Sequence, residues 1–279
     1  MKNLTKTVTI IVLIFLYVPM IVLAVASFNS GTDIATWEGF TFHQYGELFR
    51  DGVLLKLLGN SIIISVLSSF IATVLGTMAS IGIFNMKKRM QRAIMTVTNI
   101  PMTNPEIVTG VSLALLFAFV GIMLKINNIL GFVTLLIAHV TFNLPYVILS
   151  VMPKLAQMDV DLQDAALDLG CTPMQAFFKV TIHEILPGII SGALMAFTMS
   201  LDDFVISYFV SGSGFITLPV EIYNYTKKPL QPKIYALFTL LFIVILLVMV
   251  VMNFLQVKDD KLRKQAKRAF FGGKRRAGQ

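Results

Sequence analysis

Residues Asn60–Phe84 read NSIIISVLSSFIATVLGTMASIGIF, 25 positions without one charged side chain. At 1.5 Å of rise per residue such a helix is about 37 Å long, enough to cross a hydrocarbon core of about 30 Å. The pattern recurs. Apolar stretches near Val8–Phe28, Thr96–Val120, Ile129–Met152, Leu186–Val210 and Ile234–Gln256 bring the predicted spans to six. Of the 279 residues, 56% are hydrophobic and 14% charged, with a mean hydropathy of +0.78. A soluble domain carries about a quarter charged residues, so this composition predicts an all-α polytopic membrane protein. The first stretch is too long for a removed signal peptide and reads as a retained helix. Pro101 and Pro105 fall in the third, which is expected to be kinked or broken.

The net charge of +8 is distributed as a membrane dictates, not as nucleic-acid binding would require. Lys2, Lys6, Lys87, Lys88, Arg89, Arg92, Lys154, Lys179 and nine residues between Lys258 and Arg276 fall on one side, 17 of the 23 Lys and Arg. Arg50, Lys56, Lys125, Lys227, Lys228 and Lys233 fall on the other. Positive residues stay inside, which predicts that both termini are cytoplasmic. The chain therefore divides into a transmembrane domain over 1–257 and a basic cytoplasmic tail over 258–279 suited to anionic lipid. The lone Cys171 forms no internal disulfide, and His43, His139 and His183 lie on separate segments without metal-ligand spacing.

The longest inner loop, 153–185, departs from the basic pattern. It carries Asp159, Asp161, Asp164 and Asp168, with Leu162, Ala165, Ala166 and Leu169 at helical spacing. Gly170 stops this short helix, and Thr172 and Pro173 start a second as N-cap and first residue, carrying Met174, Phe177 and Phe178. Helices that rest on lipid favour Lys and Arg on the polar face. An Asp-rich helix fits a protein partner better, although rest on the interface stays open on chemistry alone.

Asp164-Ala165-Ala166, three residues, then Gly170 resembles the EAA loop of the inner-membrane permeases of binding-protein-dependent ABC importers. Asp stands where that pattern has Glu, and Ile182-His183 stands where it has Leu-Pro; Leu186-Pro187 follows three residues later. The resemblance extends over nearly the whole chain, including Trp37–Thr41, Tyr45 and the entry Asn60-Ser61 into the second span. It implies the type I permease fold and a coupling helix docked in a cytoplasmic ATPase. On that reading Asp164, Ala165, Ala166, Asp168, Gly170, Met174 and Phe177 meet the ATPase. The implied partners are an ATPase homodimer that binds ATP-Mg, a second homologous permease subunit forming a heterodimer, and an extracytoplasmic binding protein. The implied location is the cytoplasmic membrane of a bacterium. The chain has no G-x-x-x-x-G-K-[ST], since Gly273-Lys274 is followed by Arg275, so ATP hydrolysis and any cofactor are expected in the partner.

The fifth stretch contains Ser200-Leu201-Asp202-Asp203-Phe204-Val205-Ile206-Ser207. Asp202 lies about 22 Å along a helix counted from Pro187, beyond the midplane. An Asp at a helix centre costs about 2.5–3.5 kcal/mol on insertion scales, so each carboxylate needs a partner, a helix break to cap, or a cationic ligand. The Leu-Asp-Asp-Phe-Val-Ile run is similar to that of spermidine/putrescine permeases of the PotC type. That resemblance implies polyamine cargo, guided by Asp202 and Asp203. Glu106, after Asn104-Pro105, either lines the same cavity or caps the restarting helix. Trp37, Tyr45, Tyr223 and Tyr225 read as an outer interfacial belt, the last two with possible contact to a delivery protein. A proton-coupled secondary carrier would use one Asp as its proton site, but the chain lacks the repeats common in that class. A membrane-embedded enzyme lacks any plausible grouping of His, Cys and Ser. Within the importer class, another small solute remains an alternative cargo.

Overall fold

The computed structural model describes residues 2–31, 36–159, 161–227, 232–247 and 250, and these are almost entirely helical. In chain order the helices are α1 (Lys2–Ala26), α2 (His43–Arg50), α3 (Gly52–Phe84), α4 (Lys88–Thr103), α5 (Glu106–Leu124) and α6 (Phe132–Gln157). There follow α7 (Asp161–Asp168), α8 (Pro173–Ala176), a π-helical turn (Phe177–Thr181), α9 (Ile182–Asp202), α10 (Val205–Val210) and α11 (Leu218–Thr226). An apolar helix over Pro232–Leu247, α12, ends the described run. Five helical segments, Lys6–Ala26, Gly52–Phe84, Glu106–Leu124, Phe132–Gln157 and Pro173–Asp202, are long and apolar enough to cross a membrane.

Two predicted spans are not continuous helices, and the break in the first is the one expected from its prolines. Thr96–Val120 is not one helix: α4 ends at Thr103, Asn104 is extended, and α5 begins after Pro105. Pro105 removes a backbone donor and disfavours helical geometry at Asn104. The crossing segment is Glu106–Leu124, shifted toward the C-terminus of the expected stretch. Leu186–Val210 is likewise two helices, with Asp203 extended between α9 and α10. Of the sixth stretch, Ile234–Gln256, the structure describes 234–247 and 250; the remainder and the basic tail lie outside the described residues.

Chain contacts group the described residues into two units, one within Met1–Leu55 and Lys228–Gln279, the other within Lys56–Lys227. In the first, α1 exposes nearly all its apolar side chains, Phe15 at 79% among them, as a lipid-facing helix does. Asn29 organises the segment after it. Its amide donates to the Thr36 carbonyl (2.7 Å), and its Oδ1 accepts from the Glu38 N–H (2.9 Å). Tyr45 hydrogen-bonds Ser27 (2.8 Å) and joins an aromatic cluster with Phe28, Phe40 and Phe42. Asp51 caps α3 by accepting from the N–H groups of Val53 (3.1 Å) and Leu54 (3.2 Å), and pairs with Lys233 at 2.8 Å. The Lys233 hydrogen bond holds the Asp51 carboxyl below its ordinary range.

In the second unit, α6 and α9 form the central pair. Small residues let their backbones meet, which drives helix association where lipid removes the hydrophobic incentive. A Cβ on Gly192 would lie 3.1 Å from Val147 Cα, and one on Gly188 would lie 2.9 Å from the Ser150 carbonyl. Gly76 of α3 closes on Val147 from another side, where a Cβ would lie 2.7 Å from its Cγ1. Val147, Val151, Leu155, Ile185 and Ala196 are buried in the resulting core. The entry Asn60-Ser61 does structural work: the Asn60 amide donates to the Ile216 carbonyl (2.9 Å), and Ser61 Oγ accepts from the Leu218 N–H (2.8 Å). These bonds tie the start of α11 to α3.

Candidate functional site

The break between α9 and α10 frees backbone groups in an apolar environment, where no water can satisfy them. Asp203 supplies the missing acceptors. Its Oδ1 accepts from the Ile206 N–H (3.2 Å) and its Oδ2 from the Ser207 N–H (2.8 Å), capping the first turn of α10. Its carboxylate also lies 3.4 Å from His139 Nε2, with both side chains buried. The imidazole is held on its other side by Ser200 Oγ at 2.6 Å from Nδ1, while Ser207 Oγ is 3.0 Å from Nε2. A carboxylate only accepts, so Nε2 faces it as the donor. Ser200 in turn bonds Ser68 of α3 (2.9 Å), and the Asn143 amide reaches Ser68 at the long distance of 3.5 Å. One buried polar network thus links α3, α6, α9 and α10.

Asp202, the last residue of α9, has the opposite situation. Its side chain is exposed and makes no hydrogen bond or ion pair among the described residues. Glu106 heads α5, also exposed and unpaired among the described residues. Gly110, one turn further along α5, brings that helix onto α10: a Cβ there would lie 3.4 Å from Ile206 Cα and from the Val205 carbonyl. Glu106 is consequently within electrostatic range of Asp202 and Asp203, and Tyr146 of α6 within range of Glu106. The fold therefore gathers the three carboxylates singled out from sequence. It gives Asp203 protein partners and leaves Asp202 and Glu106 without them. Such an acidic cluster attracts cations and repels anions.

His139, Ser200, Ser207, Ser68 and Asn143 were not among the expected site residues. His139 carried a usable signal, since it is an ionisable residue inside a predicted span. The serines carried none, because their partners are 61 to 132 positions away.

The loop at 161–181 folds as its local signals dictate. Helix α7 ends at Gly170 with φ +86°, the left-handed region glycine favours. The Cys171 N–H bonds the Ala166 carbonyl (3.1 Å) and the Gly170 N–H bonds the Leu167 carbonyl (2.9 Å), the paired bonds of a Schellman end. Thr172 and Gln175 then form a reciprocal capping box before α8. Ala166 and Ala176 are buried between the loop helices. Asp164, Ala165, Asp168, Gly170 and Met174 are exposed, and Phe177 is half-buried against Phe178. Leu169, at 86%, and Met174, at 67%, stand open, an apolar and acidic surface in one short segment.

Comparison with known proteins accords with this geometry. Residues 72–264 match the family model described as binding-protein-dependent transport system inner membrane component. The chain is 36% identical over 250 residues to the putrescine transport system permease protein PotI of Escherichia coli K12, covering 89% of each chain. It is 35% identical over 250 residues to the spermidine/putrescine transport system permease protein PotC of Haemophilus influenzae, covering 90% of this chain and 95% of that one. Its fold is similar to a bacterial ABC transporter chain involved in import of the acidic polysaccharide alginate (TM-score 0.67, 14% identity, 91% and 95% covered). It is also similar to the MetNI methionine ABC transporter in an inward-facing conformation (TM-score 0.59, 18% identity, 74% and 95% covered). With five helices long and apolar enough to cross a membrane and a family model spanning most of its length, this chain belongs to the inner-membrane permease components of binding-protein-dependent ABC importers.

Proposed function

We propose that this chain is the permease subunit of an ATP-driven importer of polyamines. The observation that carries the cargo class is the cluster of carboxylates at the α9 break, where Asp202 and Glu106 are exposed and within electrostatic range of the capped Asp203. Polyamines are extended polycations, and a membrane passage lined by unpaired carboxylates supplies the compensating charge they need. Relatives named for putrescine and spermidine transport support the same reading. Asp202 and Glu106 meet the cargo directly; Asp203 holds the break that presents Asp202.

The proposed assembly places both termini in the cytoplasm, following the distribution of Lys and Arg. The exposed loop 161–181 docks on a cytoplasmic ATPase homodimer that binds ATP-Mg, with Asp164, Asp168, Leu169 and Met174 at the contact. A second homologous permease completes the pathway as a heterodimer, and an extracytoplasmic binding protein delivers the polyamine. Closure of the ATPase moves the loop helices as a unit and switches the permease between outward- and inward-facing states. The decisive test is uptake of labelled spermidine and putrescine by cells expressing the whole operon, with and without this chain. Uptake that requires the chain and falls in Asp202→Asn supports the reading. Chain-independent uptake of both amines overturns it.

A further inference from the structure

Near the acidic cluster in sequence stands a group of aromatic rings that the core does not bury. Phe204 sits in the break, Tyr208 lies one turn along α10, and Tyr223 lies on α11. Their ring centroids are 5.5 Å (Phe204–Tyr208), 4.6 Å (Phe204–Tyr223) and 5.9 Å (Tyr208–Tyr223) apart. Rings that serve only as core are buried, yet Tyr208 is 45% and Tyr223 41% exposed. The group is close to the pathway carboxylate, because Phe204 follows Asp202 by two residues and their Cα atoms are at most about 7 Å apart.

A cation already sits over one ring of this group. Lys227 Nζ lies 4.5 Å from the centroid of Tyr223, within the distance at which an ammonium is held by the negative face of a ring. The ε-ammonium of lysine is a primary alkylammonium, chemically the same group that ends a polyamine chain. Against Phe204, two residues from the pathway carboxylate, the chain thus presents a ring face at cation–π distance from such a group.

We infer that Phe204, Tyr208 and Tyr223 form a subsite for a terminal primary ammonium of the cargo, and that Lys227 fills it as a tethered surrogate when cargo is absent. This inference rests on the polyamine reading above and adds the residues that recognise the end of the chain. Lys227 keeps the subsite from standing empty between carboxylates and rings, and arriving cargo displaces it. Because a ring face accepts an ammonium and not a hydroxyl, the subsite also discriminates against neutral chains of the same length.

The test uses the assembled transporter, both permeases with the ATPase, purified without its binding protein. Lysines are reductively methylated with carbon-13, which keeps their charge, and the Lys227 resonance is assigned by its loss in Lys227→Arg. The resonance is expected upfield, shifted by the Tyr223 ring current. Spermidine is expected to move it to the unshifted position, and 1,4-butanediol at matched ionic strength to leave it in place. Retention of labelled spermidine is expected to weaken about 3- to 30-fold in Tyr223→Leu, the range of one cation–π contact. Lys227→Gln, on the exposed end of α11, is expected to strengthen retention and reads the same competition without disturbing the rings. A resonance that is unshifted, or unmoved by saturating spermidine, or wild-type retention in both variants overturns the subsite. If wild-type transporter carries spermidine in an Asp202-dependent way despite that result, the subsite alone fails. If it neither retains nor carries spermidine or putrescine, the polyamine reading fails with it.

Discussion

Asp203 and Asp51 each cap a helix by accepting two backbone N–H groups, and each faces a basic side chain. Asp203 does so buried, against His139, with Ser200, Ser207, Ser68 and Asn143 completing the network. Asp51 does so partly exposed, against Lys233 alone. The difference follows from the solvent. At the aqueous boundary, water satisfies whatever the cap leaves over, so one carboxylate and one lysine suffice. Inside the membrane every freed group must find a protein partner, so the break at Asp203 recruits residues from α3, α6 and α10. The turn at Gly170 is a third variant, secured by backbone bonds and a glycine, which leaves its side chains open.

Substitutions should therefore cost most at the buried cap. Asp203→Leu leaves the N–H groups of Ile206 and Ser207 and the His139 ring without their acceptor. A loss of about 3–5 kcal/mol is expected, read as disappearance of folded chain from membranes by fluorescence-detected gel filtration. Full expression of Asp203→Leu would break the comparison. Gly170→Val should cost about 1–2 kcal/mol from the left-handed backbone alone, since nothing lies within 4 Å of the new Cβ. Its expected signature is coupling: assembled transporter whose spermidine-stimulated ATP hydrolysis falls several-fold, with Gly170→Asn milder. Thr172→Ala removes the capping box and should cost about 1 kcal/mol, seen as a lowered midpoint for thermal loss of uptake.

The smallest effect is expected at Asp51. Its carboxyl is held below the ordinary aspartate range, so its contribution is fully present above about pH 4 and is lost as pH falls through the lowered folded value. Lys233→Met should destabilise by under about 1 kcal/mol at pH 7. The gap to wild type should narrow in thermal melts as pH falls below about 4 and close only once pH is below the lowered folded value. A gap that persists there would show that Lys233 acts through packing and not charge.

The features readable in advance were those with local causes. Apolar runs gave the crossing helices, because hydrocarbon thickness imposes their length. Gly170, Thr172 and Pro173 gave the loop to the residue, because caps and turns are settled by neighbours. Pro105 announced the break before α5. The break at Asp203 was only one of several ways to compensate these carboxylates, since Leu186–Val210 has no other charged residue and no proline or glycine at the break itself. The partnership of His139 with Ser200, Asp203 and Ser207 exists only once α6 packs on α9 and α10, and no spacing rule reaches across those separations. The distinct stations of Asp202 and Asp203 came from the same long-range packing.

That distinction is the centre of the account, and it is tested by comparing Asp202→Asn with Asp203→Asn in proteoliposomes carrying the whole transporter. Assembly is measured by gel filtration and transport by uptake of labelled spermidine at equal assembled protein. The account predicts that Asp202→Asn assembles in normal amount and loses uptake at least tenfold, whereas Asp203→Asn reduces the amount assembled. Normal uptake by Asp202→Asn, with Asp203→Asn assembling fully and failing to transport, would contradict it.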